Sequence, residues 1–222
     1  MLTVHHLNNS RSQRLLWLLE ELGVPYEIVR YQRQPDMRAP AELRAIHPLG
    51  KSPVITDNGN TIAESGAIAE YVLDTYGEGR LIPPPKTPER LRYTYWLHFA
   101  EGSAMPPLLM KLIFDRMKSA KMPFFAKPIA RKIADQGLSS FVMPNIERNL
   151  DYMEGELAKS EWFAGAAFSA ADIQMSFPLE AAAARAGLDA RFPRLISFIR
   201  QIHSRPAYRR ALERGGPFEL MR

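Results

Sequence analysis

Apolar and polar positions divide the chain into two parts with different periods. Leu2-Thr-Val-His-His-Leu7 alternates weakly and is short, which predicts a strand. After the turn and cap residues Asn8-Asn-Ser10, Leu15, Leu16, Leu18, Leu19 and Leu22 recur at helical spacing until Gly23 and Pro25 stop the helix. Tyr26 to Tyr31 resumes as a strand, and a β-α-β unit of about 30 residues is the size of a parallel crossover. Residues 34–46 are interrupted by proline and hold at most a short helix, Ala41 to Ala45. Pro53 cannot donate to a sheet ladder, so it marks the start of the strand Val54-Ile55 and is a candidate for a cis bond. Asp57-Asn-Gly-Asn60 spells a tight hairpin turn, Thr61-Ile62-Ala63 the returning strand, and Glu64-Ser65-Gly66 the start of a helix through Leu73. The order up to Gly77 is β-α-β-α-β-β-α.

Leu81-Ile-Pro-Pro-Pro-Lys-Thr-Pro88 holds four prolines in eight residues, a stiff linker. It predicts a first domain over residues 1–80, a linker over 81–88 and a second domain over 89–222. Everything beyond it has helical spacing. Thr87-Pro88-Glu89 reads as a capped helix start leading towards Met117, with a kink at Pro106-Pro107. A second long helix is expected over Ala134 to Lys159. Ser169 and Asp172 form a capping-box variant, with Phe168 placed to staple onto Ile173, ahead of a buried helix through Ala184. Pro193 to Ile202 and Pro206 to Leu212 supply two more helices.

Composition narrows the chemistry. Among the 222 residues, 46% are hydrophobic, enough for a real core, and no apolar run is long enough to span a bilayer. The first residues lack the basic and apolar regions of a secretory signal, so the default is a cytoplasmic protein. There is no cysteine, which removes disulfides, thiolate zinc sites and a protein thiol nucleophile. The net charge of +5 arises after residue 86, where 20 Lys and Arg face 14 Asp and Glu. Arg116, Lys118, Lys121, Lys127, Arg131 and Lys132 follow one another with no acidic residue between. They read as a solvated helix end or as an anion patch, and no nucleic-acid motif accompanies them. His5 and His6, adjacent on a strand, point to opposite faces and make no metal site. His98, on the long helix, reads as a core or interface residue.

The candidate chemistry lies between residues 47 and 68. A strand edge behind Pro53 and a helix N-terminus at Glu64-Ser65 converge on one small ligand, and the N–H groups of that helix suit a carboxylate. Taken singly, Pro53 could only start a strand, Lys51 only face solvent, and Glu64 with Ser65 only cap a helix. The two motifs lie 13 residues apart and are joined by a hairpin signal, which favours a site.

These residues resemble the soluble, cytosolic-type glutathione S-transferase family along essentially the whole chain. Gly50-Lys-Ser-Pro-Val54 matches its loop before the ligand-binding strand, Glu64-Ser65-Gly-Ala-Ile68 its ligand-binding helix start, and Ser169-Ala-Ala-Asp172 a structural box. His47-Pro48 departs from the family's usual Asn-Pro. The resemblance implies a thioredoxin-like N-terminal domain and an all-helical C-terminal domain. It also implies a cis Pro53 and backbone pairing of Val54 with the cysteinyl part of glutathione. Ser65 would take the γ-glutamyl carboxylate and Glu64 its ammonium, with Lys51 facing the thiol or the glycyl carboxylate. The family activates the thiol with Tyr, Ser or Cys after the first strand. Ser10 is the first candidate here and Asn9 the second, although Ser10-Arg-Ser-Gln13 also spells a capping box. Leu7, Met105 and Leu109 would line an apolar second-substrate pocket, or belong to the core.

The expected activity is attack of the glutathione thiolate on a hydrophobic electrophile, by a homodimer, with glutathione as co-substrate and no metal. Glutathione-dependent reduction of peroxides or small disulfides is the alternative enzyme. A noncatalytic glutathione- or ligand-binding protein is the alternative from another class.

Overall fold

The computed structural model describes residues 1–34, 36 and 38–220; Pro35 and Met37, within the proline-interrupted stretch, and the last two residues lie outside it. The first half runs β1 (Leu2–Leu7), α1 (Ser12–Leu22), β2 (Tyr26–Tyr31), α2 (Ala41–Ile46), β3 (Val54–Asp57), β4 (Asn60–Ala63) and α3 (Ser65–Tyr76). This is the order expected from the sequence. The sheet order is β2-β1-β3-β4, with β1 parallel to β2 and β3 antiparallel to both its neighbours. At the hairpin tip Asn58 and Gly59 have φ of 49° and 79°, the left-handed pair that a two-residue turn between twisted strands requires.

Alternation along β1 sends Leu2, Val4 and His6 towards α1, and His5 and Leu7 to the opposite face, where Leu7 packs with Ala39, Leu43 and Tyr31. His5 bonds the Tyr31 hydroxyl at 3.0 Å and the Thr56 hydroxyl at 3.2 Å. His6 bonds Ser12 of α1 at 2.8 Å.

The second half is helical: α4 (Pro88–Phe99), α5 (Met105–Ser119), α6 (Ala126–Gly137), α7 (Met143–Leu157), α8 (Ala170–Arg185), α9 (Pro193–Ser204) and α10 (Pro206–Gly215). Thr87 caps α4, its hydroxyl accepting the Arg90 N–H at 3.2 Å. The kink expected at Pro106-Pro107 takes the form of a π-type turn, Ala100–Ala104, between α4 and α5. A proline ring collides with the carbonyl four residues back, and a widened turn relieves the clash. Leu138–Val142 does the same ahead of Pro144. The second long helix does not begin at Ala134 as expected. It begins as α6 at Ala126, because Pro128 falls in the first turn, where no N–H is needed. Phe125, Ile129 and Ile133 point to solvent, so no buried stripe announced it.

The capping box forms as expected. The buried Asp172 carboxylate accepts from the Ser169 N–H at 2.8 Å and the Phe163 N–H at 2.9 Å, while burial pushes its carboxyl up to about 6 against these donors. Helix α8 is buried along most of its length and packs against α1, α4 and α5.

Helix α1 joins the two halves. Trp17 meets Tyr208 edge-on at 5.2 Å, Arg205 pairs with Glu21, and Arg210 and Arg214 both pair with Glu20. At the end of α10, Gly215 approaches α1 so closely that a Cβ would lie 2.5 Å from Gln13 Oε1 and 2.8 Å from Leu16 Cδ1. The N-terminus of α1 is thereby fixed against both halves. Among the described residues, no helix is long and apolar enough to cross a membrane.

Candidate active site

A cleft of about 490 Å³ opens where the turn before β3, the start of α3, the N-terminus of α1 and helices α2 and α5 meet. The Ser52–Pro53 peptide bond is cis, as the sequence suggested. Ahead of it Gly50 has φ 56°, a backbone that favours glycine, and a Cβ there would lie 2.5 Å from Arg44 Cγ and push that side chain aside. Glu64 stands at φ 73°, a left-handed conformation in a residue with a side chain. Such strain is held where the surroundings over-determine it, and here it lies directly before Ser65, the first residue of α3. Lys51, Pro53, Glu64 and Ser65 all line the cleft, so the two sequence motifs meet as expected.

Val54 is placed differently. It sits in register with His5 of β1 on one side and Ala63 of β4 on the other, inside the ladder. The free strand edge read at Val54 is therefore absent, because β3 is a central strand. The main chain at the cleft is that of Ser52, whose N–H and C=O have no partner among the described residues.

Ser10 is 4% exposed and lies behind the cleft wall. Its hydroxyl takes the Ser12 N–H at 3.2 Å and lies 2.8 Å from the Ser12 hydroxyl and 3.1 Å from that of Ser52. The capping function read for it exists but serves Ser12. Gln13, the other half of the expected box, has a buried side-chain amide without a hydrogen-bond partner among the described residues. Asn9 turns away: at φ 49°, its Oδ1 accepts the Glu219 N–H at 2.8 Å, and it lines a separate cavity of about 860 Å³ beneath the C-terminal segment. Of the apolar trio, Leu7 and the half-exposed Leu109 line the cleft. Met105, the first residue of α5, is buried in the main core. His98 is exposed on α4 and is not among the cleft-lining residues.

The sequence motifs did not reveal how cationic the cleft is. Arg11, Arg33, Arg38, Arg44 and Lys51 line it, against the carboxylates Glu64 and Glu101. Arg11 donates through Nε to both oxygens of Glu101, at 2.8 and 3.0 Å, and the buried Arg14 donates to the same carboxylate. Burial pushes Glu101 upward, but Arg14 and Arg11 outweigh it and hold the carboxyl below its ordinary value. Glu101 reaches this position from the π-type turn created ahead of the prolines. Arginines scattered over three elements carry no motif, so only the proline pair hinted at this feature. Among the described residues, no group of three His, Asp or Glu is placed to hold a metal ion.

The arrangement offers unpaired main chain beside a cis proline, a helix start with an acidic residue before it, and a surplus of cations. It suits a small peptide-like anion that also carries an ammonium group. Residues 1–74 match the family model described as the glutathione S-transferase N-terminal domain, and residues 116–206 match that of the C-terminal domain. Glutathione S-transferase 3 of Schizosaccharomyces pombe is 39% identical over 96% of this chain and 88% of its own length. Glutathione S-transferase 1 of Saccharomyces cerevisiae is 35% identical over 96% of this chain and 95% of its own length. A solved glutathione S-transferase from Actinobacillus pleuropneumoniae superposes with a TM-score of 0.80 at 32% identity, covering 99% of this chain and 95% of that one. The chain belongs to the glutathione S-transferase family.

Proposed function

We propose that the cleft binds glutathione and that the chain catalyses attack of the glutathione thiolate on an electrophilic carbon of a hydrophobic small molecule. One observation carries this reading: the Ser52-Pro53 turn and the Glu64-Ser65 helix start, separate in sequence, line one cation-rich cleft. Ser65 and the first N–H groups of α3 take the γ-glutamyl carboxylate, and Glu64 takes its ammonium. The main chain of Ser52 pairs with the cysteinyl residue, the part assigned to Val54 from sequence alone. Lys51 and Arg44 face the glycyl carboxylate. The sulfur then lies near Ser52 and Arg11, where the N-terminus of α1 and the guanidinium favour thiolate over thiol. The thiol proton leaves to solvent, the sulfur–carbon bond forms, and the leaving group departs with its electron pair. Leu7 and Leu109 supply the apolar side for the second substrate.

The protein acts as a homodimer through α3 and α4, where Leu91 and Tyr95 leave apolar surface exposed on α4. Calorimetry with glutathione, followed by a panel of aryl halides, peroxides and small disulfides at saturating glutathione, tests the proposal. Binding with turnover of the aryl halides supports it. Turnover of peroxides or disulfides alone moves the reaction to direct reduction by bound glutathione, and binding without turnover leaves a noncatalytic protein.

A further inference from the structure

Four side chains run from the cleft wall into the core as one hydrogen-bonded chain. Ser52 Oγ lies 3.1 Å from Ser10 Oγ, Ser10 Oγ 2.8 Å from Ser12 Oγ, and Ser12 Oγ 2.8 Å from His6 Nδ1. Each hydroxyl has a single proton to give, so whichever end is fixed sets the direction of all three bonds.

The inner end is biased. His6 is 4% exposed, and the main chain of Gly215 raises its affinity for a proton against that burial, which marks an acceptor beside the ring. Gly215 ends α10, where helix carbonyls lack intrahelical partners and call for donors. With Nδ1 turned to Ser12, that acceptor favours the ring proton on Nε2. Burial, reinforced by the charge of Arg30, holds the imidazole pKa down at about 4, so at neutral pH the ring carries only that one proton. Nδ1 is then a lone pair, and Ser12 must donate to it. With its proton committed, Ser12 Oγ accepts from Ser10. Ser10 Oγ in turn accepts, from the Ser12 N–H at 3.2 Å and from the Ser52 hydroxyl. Among the described residues, Ser12 also reaches the Leu7 carbonyl, at a long 3.4 Å.

We propose that His6, with its proton on Nε2 beside the end of α10, is a positioning residue that commits the Ser10 proton to the core and leaves Ser52 as the hydroxyl serving the thiolate. Ser52 donates to Ser10 while the bound sulfur is protonated and swings its proton to the sulfur once the thiol proton has left for solvent. Ser10 remains an acceptor throughout, and no net proton enters the chain. The proposal rests on the reading of the cleft as a glutathione site, and it transfers the hydroxyl role from the residue that motif position favours to its neighbour across the turn. It also ties the C-terminal helix to the reacting atom through the imidazole of His6.

The test has one arm without ligand and one with it. Long-range proton–nitrogen NMR of the ligand-free full-length protein should show His6 protonated at Nε2 and bare at Nδ1; the opposite tautomer would reverse the chain and overturn the proposal. With glutathione bound, thiolate absorbance against pH should show Ser52→Ala raising the thiol pKa and slowing turnover roughly 10-fold to 100-fold, the range for a hydrogen bond to a charged group. Ser52→Thr should restore both. Ser10→Ala should leave the thiol pKa in place and change turnover about twofold or less. Removing the inner acceptor with Ser12→Ala should free the Ser10 proton to turn outward, so Ser10→Ala should cost much more in that background. A Ser10→Ala loss matching the expected Ser52→Ala loss, with Ser52→Ala silent, overturns the proposal. Calorimetry separates the two levels: no glutathione binding by the wild-type protein removes the glutathione reading and the thiolate role together. Normal binding with a silent Ser52→Ala removes only the role of Ser52.

Discussion

Arg11 and Glu101, 90 positions apart, meet at the mouth of the cleft with the arginine Nε 2.8 and 3.0 Å from the two carboxylate oxygens. Behind them the buried Arg14 donates to the same carboxylate and, at 2.9 Å, to the Gln174 carbonyl of α8. One carboxylate therefore holds two cations, of which one is almost without water.

Removing it should cost more than an exposed ion pair does. Glu101→Gln keeps the shape and one acceptor but leaves the Arg14 charge under-compensated in the core. The expected loss is about 2–4 kcal/mol, towards the scale for breaking a buried pair and above the roughly 0–1 kcal/mol of a surface pair. Urea denaturation measures it. A midpoint unchanged from wild type would mean that Arg14 is satisfied by Gln174 and water alone.

The γ-glutamyl end of glutathione is the most directly testable part of the site. Ser65→Ala and Glu64→Ala should each weaken binding by roughly 1.5–3 kcal/mol, the range for charge-assisted hydrogen bonds. Glu64→Gly separates strain from charge. At φ 73°, glycine relieves the backbone, so the variant should gain stability while losing affinity. Calorimetry and thermal unfolding on the same three proteins decide the matter, and wild-type affinity in all three would remove these residues from the site.

Acid should weaken the fold through His6. Its folded pKa of about 4 lies below the ordinary value of 6.5, so between the two the unfolded chain binds the proton and the native state does not. Stability therefore falls as pH drops from about 6.5, and the loss levels off below about 4, where both states are protonated. The full effect is on the order of 3 kcal/mol. Denaturant midpoints from pH 7.5 to 4.5 should show this slope in wild type. His6→Gln, which has no proton to gain, should remove the His6 share of the slope and leave the shares of His5, depressed by burial and of the same sign, and of Asp172, raised to about 6 and of the opposite sign.

What could be read from sequence was whatever depends on neighbours along the chain. The leucine spacing of α1, the Asn58-Gly59 turn and the box joining Ser169 to Asp172 all appear where local chemistry placed them. The cleft motifs were legible for the same reason. What stayed hidden depends on distance in three dimensions. Arg11 carried no signal of its own in the sequence, because its partner Glu101 is delivered by a π-type turn 90 positions away. Val54 looked like an edge because the strand order was not yet known, and a central β3 gives that role to Ser52. Ile129 and Ile133 have helical spacing yet face water, so a search for buried stripes started the helix too late.

Two glycines allow the loop before β3 to be tested by difference. Gly50 and Gly59 both have left-handed backbones, with φ 56° and 79°, and both should resist a side chain by about 1–2 kcal/mol on that account. They differ in what surrounds them. A Cβ on Gly59 meets nothing within 4 Å, whereas one on Gly50 falls 2.5 Å from Arg44 Cγ and 3.1 Å from its Cδ. Arg44 is a flexible side chain lining the cleft, so it can swing away, and the cost should pass from stability to binding. Gly59→Ala should accordingly lose stability alone, with glutathione affinity intact. Gly50→Ala should lose a similar amount of stability and, in addition, several-fold in affinity, because the displaced Arg44 no longer faces the glycyl carboxylate. Arg44→Ala completes the comparison: adding Gly50→Ala to it should cost no further affinity, since the side chain to be displaced is gone. Calorimetry on the four proteins reads the cycle: additive losses would show that Gly50→Ala does not act through Arg44, and full affinity in Arg44→Ala would place Arg44 outside the binding site.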